Sequence, residues 1–515
     1  MRDLKELTGY DIITEEKIPE VNGTGYILSH KKTKARVLVI ANDDENKVFN
    51  IGFRTPPYDD SGIPHILEHS VLCGSRKYPV KDPFVELAKG SLNTFLNAMT
   101  YSDKTVYPIA SCNEKDFENL MDVYLDAVFY PNIYEHTEIM RQEGWHYELE
   151  TVEGELIYNG VVFNEMKGAF SSPEQQMYSK IEKLLLADTP YKNESGGDPA
   201  AIPTLSQERF LDFHRKYYHP SNSYIYLYGD LDMYKELDYI DKEYLSSFDY
   251  REIDSAIAVQ TAYEQIKDES CFYSIAENES EENQTFLTYN MVVGSSLDKK
   301  QSVAMNILEY AIMDAPGAPL KKALVDAGIG EDVFASFDDG IRQTIFSIVA
   351  RNANMSDKER FVSVIRDTLT DLSGHGEEGK AIDRTSIEAA INNFEFKHKE
   401  ANFGRFPKGL MMGLDAFNTW LYDDASALEM FKLNEVYDEL KESLKTGYFE
   451  ELIWEKLVQN TFGMIFVMKP KKGLDKENDA AEKQKLADYK ASLTENELEQ
   501  GVAGTVILAT VHGAG

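Results

Sequence analysis

The strand-like run Tyr224-Ile225-Tyr226-Leu227-Tyr228 and the run Met464-Ile465-Phe466-Val467-Met468 each follow a helical pattern, and each closes a segment of similar size. Their separation of roughly 240 residues points to an internal duplication. This constrains the fold more than any other feature, because both halves must then satisfy one mixed strand-and-helix plan. The first half opens with alternating strands at Gly25–His30, Ala35–Ile40 and Val48–Phe53,. Helical patterns follow at 62–73, 82–98, 114–129, 135–143, 161–171 and 205–217. The second half has strands near 285–293 and 344–350 and helices near 300–313, 355–373 and 385–402. The acidic stretch Glu277–Asn283 reads as a solvated turn between Phe272–Ile275 and Thr285–Tyr289,. A domain boundary is expected near 250–270. Beyond Pro470 the chain is charged, helix-prone and poor in apolar anchors, as suits an exposed linker.

A chain of 515 residues exceeds one ordinary core,. With 11% aromatics and no long low-complexity tract it can bury substantial cores, which excludes global disorder,. The net charge of −35 repels phosphate backbones and anionic headgroups, so nucleic acid and membrane surfaces are poor partners,. The plain meaning of that acidity is a well-solvated surface; the alternative is attraction of basic substrates. Cys73, Cys112 and Cys271 are odd in number and far apart, which argues against a disulfide framework and for a reducing compartment,. No apolar leader follows Met1, and no apolar run reaches the roughly 18 residues of a membrane span. A cytoplasmic chain is expected.

The sharpest chemical feature is His65-Ile66-Leu67-Glu68-His69, in a short helix with Gly62 and Pro64 at its start and Gly74 just past its end,. Residues four apart leave a helix on the same face, so one metal ion can bridge both imidazoles. Glu68 falls on the adjoining flank, placed for proton transfer. Hydrolytic zinc takes three protein ligands and keeps one position open, so a third ligand must come from elsewhere. The best candidate is Glu165, an acid in the otherwise apolar or amide-rich opening Val161-Val162-Phe163-Asn164-Glu165-Met166. Burying that carboxylate without a partner would cost several kcal/mol, and a divalent cation supplies one. An acid stabilised by a helix dipole would explain the position but not the apolar neighbours. The bland alternative for the motif is two satisfied histidines and a solvated acid.

The order His-x-x-Glu-His marks the inverzincins. The chain continues through Cys73-Gly74-Ser75-Arg76-Lys77-Tyr78-Pro79 and Asp82-Pro83-Phe84 to Gly90-Ser91-Leu92-Asn93-Thr94-Phe95-Leu96-Asn97-Ala98-Met99-Thr100-Tyr101-Ser102-Asp103-Lys104. With the block around Glu165, the run Tyr218-His219-Pro220-Ser221-Asn222 and the stretch Ala315 to Gly330, it closely resembles the presequence protease branch of the insulinase-like (pitrilysin, M16) metallopeptidases. The resemblance implies an α+β fold of two homologous domains, each a mostly antiparallel sheet covered by helices. A zinc-binding catalytic domain would occupy 1–255, an inactive copy 265–470, and a charged helical linker with an atypical tail 471–515. The implied activity is that of a zinc endopeptidase degrading short unstructured peptides, such as cleaved targeting sequences, inside a chamber made of two halves. His65, His69 and Glu165 match the zinc ligands and Glu68 the general base. Asn97 and Ala98 match positions that hold the substrate backbone beside an exposed strand.

The departure from the family is length. Full members are about twice as long, on the order of four such domains, so a C-terminal half that would complete the chamber is the implied partner, beside peptide substrates, possibly basic ones. The alternative from another class is a non-catalytic peptide-binding or scaffold subunit that keeps the metal for stability. Among smaller signals, His146 and His219 read as packed or hydrogen-bonded residues, and Cys73 as a small buried residue at a helix end. The Met- and Gly-rich run 406–414 reads as core packing or inner wall, and the Asp-Asp pairs at 59–60, 338–339 and 423–424 as turn residues.

Overall fold

The computed structural model describes residues 2–502 except 81, 82, 378 and 380; positions 503–515 of the atypical tail lie outside the described residues. Ten strands belong to the first half: β1 (Tyr10–Ile18), β2 (Gly23–His30), β3 (Arg36–Ala41), β4 (Lys47–Arg54), β5 (Asn93–Leu96), β6 (Met99–Thr100), β7 (Lys104–Ser111), β8 (His146–Glu148), β9 (Ile157–Asn159) and β10 (Ser223–Gly229). One sheet runs β1-β2-β3-β10-β4-β7-β5, with β6 also on β7, while β8 and β9 form a separate hairpin. The second half has β11 (Lys267–Ile275), β12 (Thr285–Ser295), β13 (Asp332–Asp338), β14 (Gln343–Ala353) and β15 (Gly463–Lys472), in the order β11-β15-β12-β14-β13.

The two sheets share one plan. In the first, the last strand β10 inserts between β3 and β4 and runs parallel to β3; in the second, β15 inserts between β11 and β12 and runs parallel to β11; all other pairings are antiparallel. The core strands β3, β10, β4, β7 and β5 follow the same lateral order as β11, β15, β12, β14 and β13. β10 begins at Ser223 and β15 at Gly463, 240 residues apart. The duplication and the α+β architecture expected from the sequence are therefore present.

Period-two alternation divides the first sheet's side chains between two cores. Val37, Val39, Phe49, Ile51, Ile225 and Leu227 face α1 (Ile63–Val71), α3 (Glu114–Phe129), α7 (Gln207–Tyr217) and α8 (Met233–Glu243). Leu38, Ile40, Tyr224, Tyr226 and Tyr228 face the other way, onto a helix of the second half, Lys408–Trp420, and the 3₁₀ run after it. In return α6 (Pro173–Leu185) of the first half lays Met177, Ile181 and Leu185 on Phe286, Val349 and Phe466 of the second sheet. Each half thus lends a helix to the other's sheet.

Three expectations need correction. The stretch 82–98 is not one helix: α2 (Pro83–Gly90) stops at Gly90-Ser91, and Asn93–Leu96 becomes β5, because β7 offers it a partner at the sheet edge. The segment after Pro470 is no exposed linker. Its helix Leu474–Ala491 docks on the first core through Leu486, 2% exposed, with Tyr489 and Leu493 packed alongside. Leu486 and Tyr489, at i and i+3, with Leu493 just past the helix end, form a single narrow apolar seam, enough for docking although the average composition is polar,. The pair Asp59-Asp60 does more than turn the chain. Asp59 pairs with Arg209, and Asp60 accepts hydrogen bonds from Lys183 and from the Glu194 backbone at 2.6 and 2.7 Å.

Candidate metal centre

α1 is capped by Gly62, whose φ of +70° lets the chain turn sharply into the helix, with Pro64 in the first turn,. Its apolar side, Ile63, Ile66, Leu67 and Val71, is buried in the first core. This locks the helix rotation and turns His65 and His69 to a common side, their rings 5.0 Å apart. Facing them is α5 (Val161–Ala169), which buries Val162, Phe163 and Met166 and leaves the Glu165 side chain 53% exposed. The His65 and His69 Nε2 atoms lie 3.7 Å from Glu165 Oε1 and Oε2, respectively. One donor atom from each residue falls within 4.8 Å of the others.

The donor set fits a zinc ion on this geometry. A separation of 3.7 Å is too long for a hydrogen bond, yet two donors of a tetrahedral zinc stand about 3.4 Å apart when each bond is about 2.0 to 2.2 Å. Both rings are also held at the opposite nitrogen. His65 Nδ1 donates to the Gly196 carbonyl at 3.1 Å, and His69 Nδ1 lies 3.4 Å from Glu143 Oε2. With the proton on Nδ1, each Nε2 lone pair points toward Glu165. The loop bearing Gly196 is pinned by Asp60, whose carbonyl accepts from the Asp198 backbone at 2.8 Å.

Glu143 ends α4 (Glu138–Glu143), and a second hydrogen bond from Gln142, at 2.9 Å, steadies it. Burial alone would depress His69, but the contact with Glu143 and the charges of Glu68, Glu143 and Glu165 outweigh it and raise its pKa. Glu143 is likewise pushed up by burial and pulled further down by His69 and Gln142, ending below the usual range.

Glu68 is buried on α1, and its charge acts on His69. Its charge reaches the hydroxyls of Tyr101, Tyr107, Tyr124 and Tyr218, which burial raises first and Glu68 raises further. Asn97 and Ala98 follow the edge strand β5. Asn97 is exposed while Ala98 is buried, and the Tyr124 hydroxyl donates to the Asn97 carbonyl at 3.1 Å. His146 donates to the Arg141 carbonyl at 2.9 Å. His219 accepts from the Ser221 backbone, and burial and Arg251 push it down to about 4. Neither joins the triad.

Glu143 and Gly196 escaped sequence reasoning. A carbonyl leaves no residue signature, but Glu143 does: an acid on the last turn of a helix opposes the macrodipole and implies a cationic or imidazole partner. In the second half the helix after β12, Lys299–Glu309, contains no histidine, so the duplicated sheet carries no matching pair.

Two family profiles match the chain: "Insulinase (Peptidase family M16)" over residues 48–179 and "Peptidase M16 inactive domain" over 204–394. The chain belongs to the insulinase-like M16 peptidases. It is 49% identical to Protein HypA of Clostridium perfringens, over 96% of this chain and 50% of that one. It is 40% identical to Presequence protease 1, chloroplastic/mitochondrial, of Arabidopsis thaliana, over 97% and 46%. Within the family it falls in the presequence protease branch. It spans about half the length of these relatives. Among solved structures, the fold matches a protease from Helicobacter pylori (TM-score 0.65, 16% identity, 87% of this chain and all of that one). It also matches pitrilysin (TM-score 0.60, 17% identity, 94% of this chain and 50% of that one).

Proposed function

We propose that this chain is the zinc-bearing unit of an endopeptidase that degrades short unstructured peptides such as cleaved targeting sequences. The observation that carries the reading is the convergence of His65, His69 and Glu165 donor atoms within 4.8 Å, with Glu68 buried on the helix that carries both histidines. Zinc, when bound, supplies Lewis acidity toward water and a peptide carbonyl. His65 and His69 would hold it through Nε2, and Glu165 through its carboxylate. Glu68 would take a proton from the attacking water and deliver it to the leaving amine as the peptide C–N bond breaks. β5 lies at an open sheet edge ahead of Asn97 and Ala98, and an extended peptide added there would present its backbone to the site,.

The test is metal content together with cleavage of a quenched basic peptide. Glu68→Gln should retain zinc while hydrolysis falls by at least about 10²-fold, and Glu165→Gln should lose zinc affinity. Equal loss of zinc in both variants would refute this division of roles. A second reading is a non-catalytic peptide-binding or scaffold unit that keeps a structural metal. Stoichiometric zinc without cleavage, even after the remaining half of a full-length relative is added, would favour it.

A further inference from the structure

Glu165 is the exposed member of the triad, and among the described residues its polar partners are the two imidazoles alone. Something else must fix where it stands. The β8–β9 hairpin begins just after Glu143 and ends just before α5, so one small element joins the carboxylate that orients His69 to the helix that carries Glu165. Its two ends are tied together. Phe163 N donates to the Gly144 carbonyl at 3.3 Å, and Gly160, with φ +149°, lies so close to that carbonyl that a Cβ would overlap it.

The outer face of this hairpin is covered by the helix Leu474–Ala491. The Tyr489 ring stacks on Tyr147 (4.8 Å between centroids), Tyr147 on Tyr158 (5.4 Å), and Tyr158 tilts against Phe163 (5.8 Å), two residues from Glu165. On the other side of Glu165, Lys167 pairs with Glu482 of the same helix at 3.4 Å. Lys490 donates to the Gly154 carbonyl at the hairpin tip, and Lys483 lies 3.5 Å from Glu155. α5 has nine residues and buries three of them, so it has little of its own to hold its register,.

We propose that the helix Leu474–Ala491 is a positioning element for the metal centre, with Tyr489 as its principal positioning residue. Through the ring stack and the Lys167–Glu482 pair it sets the distance from Glu165 to His65 and His69. Whatever displaces this helix then lowers metal affinity without touching a ligand. The inference rests on the reading of these three residues as zinc ligands.

The experiment compares the whole chain with its Tyr489→Ala and Tyr489→Phe variants, by chelator competition for zinc and by hydrogen exchange of the metal-free protein. Tyr489→Ala should weaken zinc binding about 10-fold, the low end of the effect of removing outer-shell support. It should also speed exchange in Val161–Ala169, while Tyr489→Phe, which keeps the stack, restores both. Should Tyr489→Ala not fold, Glu482→Ala combined with Lys490→Ala loosens the same seam, with a two- to threefold effect expected. A folded Tyr489→Ala with a lowered melting temperature but unchanged zinc affinity and unchanged exchange in Val161–Ala169 overturns the inference. A wild-type chain without zinc binding dependent on His65 and His69 overturns the metal reading instead, and the exchange data still decide whether the helix is coupled to α5.

Discussion

Glu143 and Glu236 are both buried acids, and their surroundings drive them in opposite directions. Glu143 has an imidazole to hold, so Glu143→Gln should leave the fold intact and weaken zinc binding by about 10- to 100-fold, as measured by chelator competition. Glu236 on α8 has no such partner among the described residues: its Oε1 lacks a hydrogen bond, and burial and Glu118 push it up to about 7. A folded pKa above the unfolded value means the group is harmless below about pH 4.5 and costs stability as pH rises through 7, by about 3 kcal/mol at the limit. Glu236→Gln should therefore raise the melting temperature at pH 8 and change it little at pH 4.5. The motif His65–His69 was legible because its helical period is itself the geometry of a chelate. Glu165 was legible only as an acid among apolar neighbours. Glu143 and Gly196 were not, because their roles arise from where distant loops return.

Among the elements, the helix Lys408–Trp420 shows how a run that looks like generic core can have a specific counterpart. Gly409 and Gly413 bring its backbone against the rings of Tyr228 and Tyr226, and the Tyr226 hydroxyl donates to the Gly409 carbonyl at 2.9 Å. A side chain at Gly413 would strike the Tyr226 ring. Gly413→Val should destabilise the protein by about 1 to 3 kcal/mol in denaturant unfolding, the usual range for overpacking. The sequence reading of this run as core or inner wall was sound in kind, and its Tyr-x-Tyr-x-Tyr partner was visible as a strand. That the two belong to each other was not, since nothing local in either encodes it. The same limit explains the misjudged end of α2 and the docking of the helix Leu474–Ala491, which the sequence reads as an exposed linker. At 91–98 the deciding partner was β7, and at 474–491 it was the β8–β9 hairpin, both supplied only by the fold.

On the scale of the molecule, the duplicated sheets made the fold legible in outline, since a spacing of about 240 residues between similar strands admits few architectures. The exchange of helices between them was not foreseen. It predicts that neither repeat is self-sufficient: a chain ending near residue 255 leaves the Tyr224–Tyr226–Tyr228 face bare and should aggregate. Produced together with the remaining residues it should form a soluble one-to-one complex, checked by size-exclusion chromatography with light scattering. The crossed helices have a mechanical consequence as well. Two bodies that each carry a strap of the other cannot swing apart without stripping both straps at once, so this seam is welded, and any large hinge motion of the protein must pivot at some other joint.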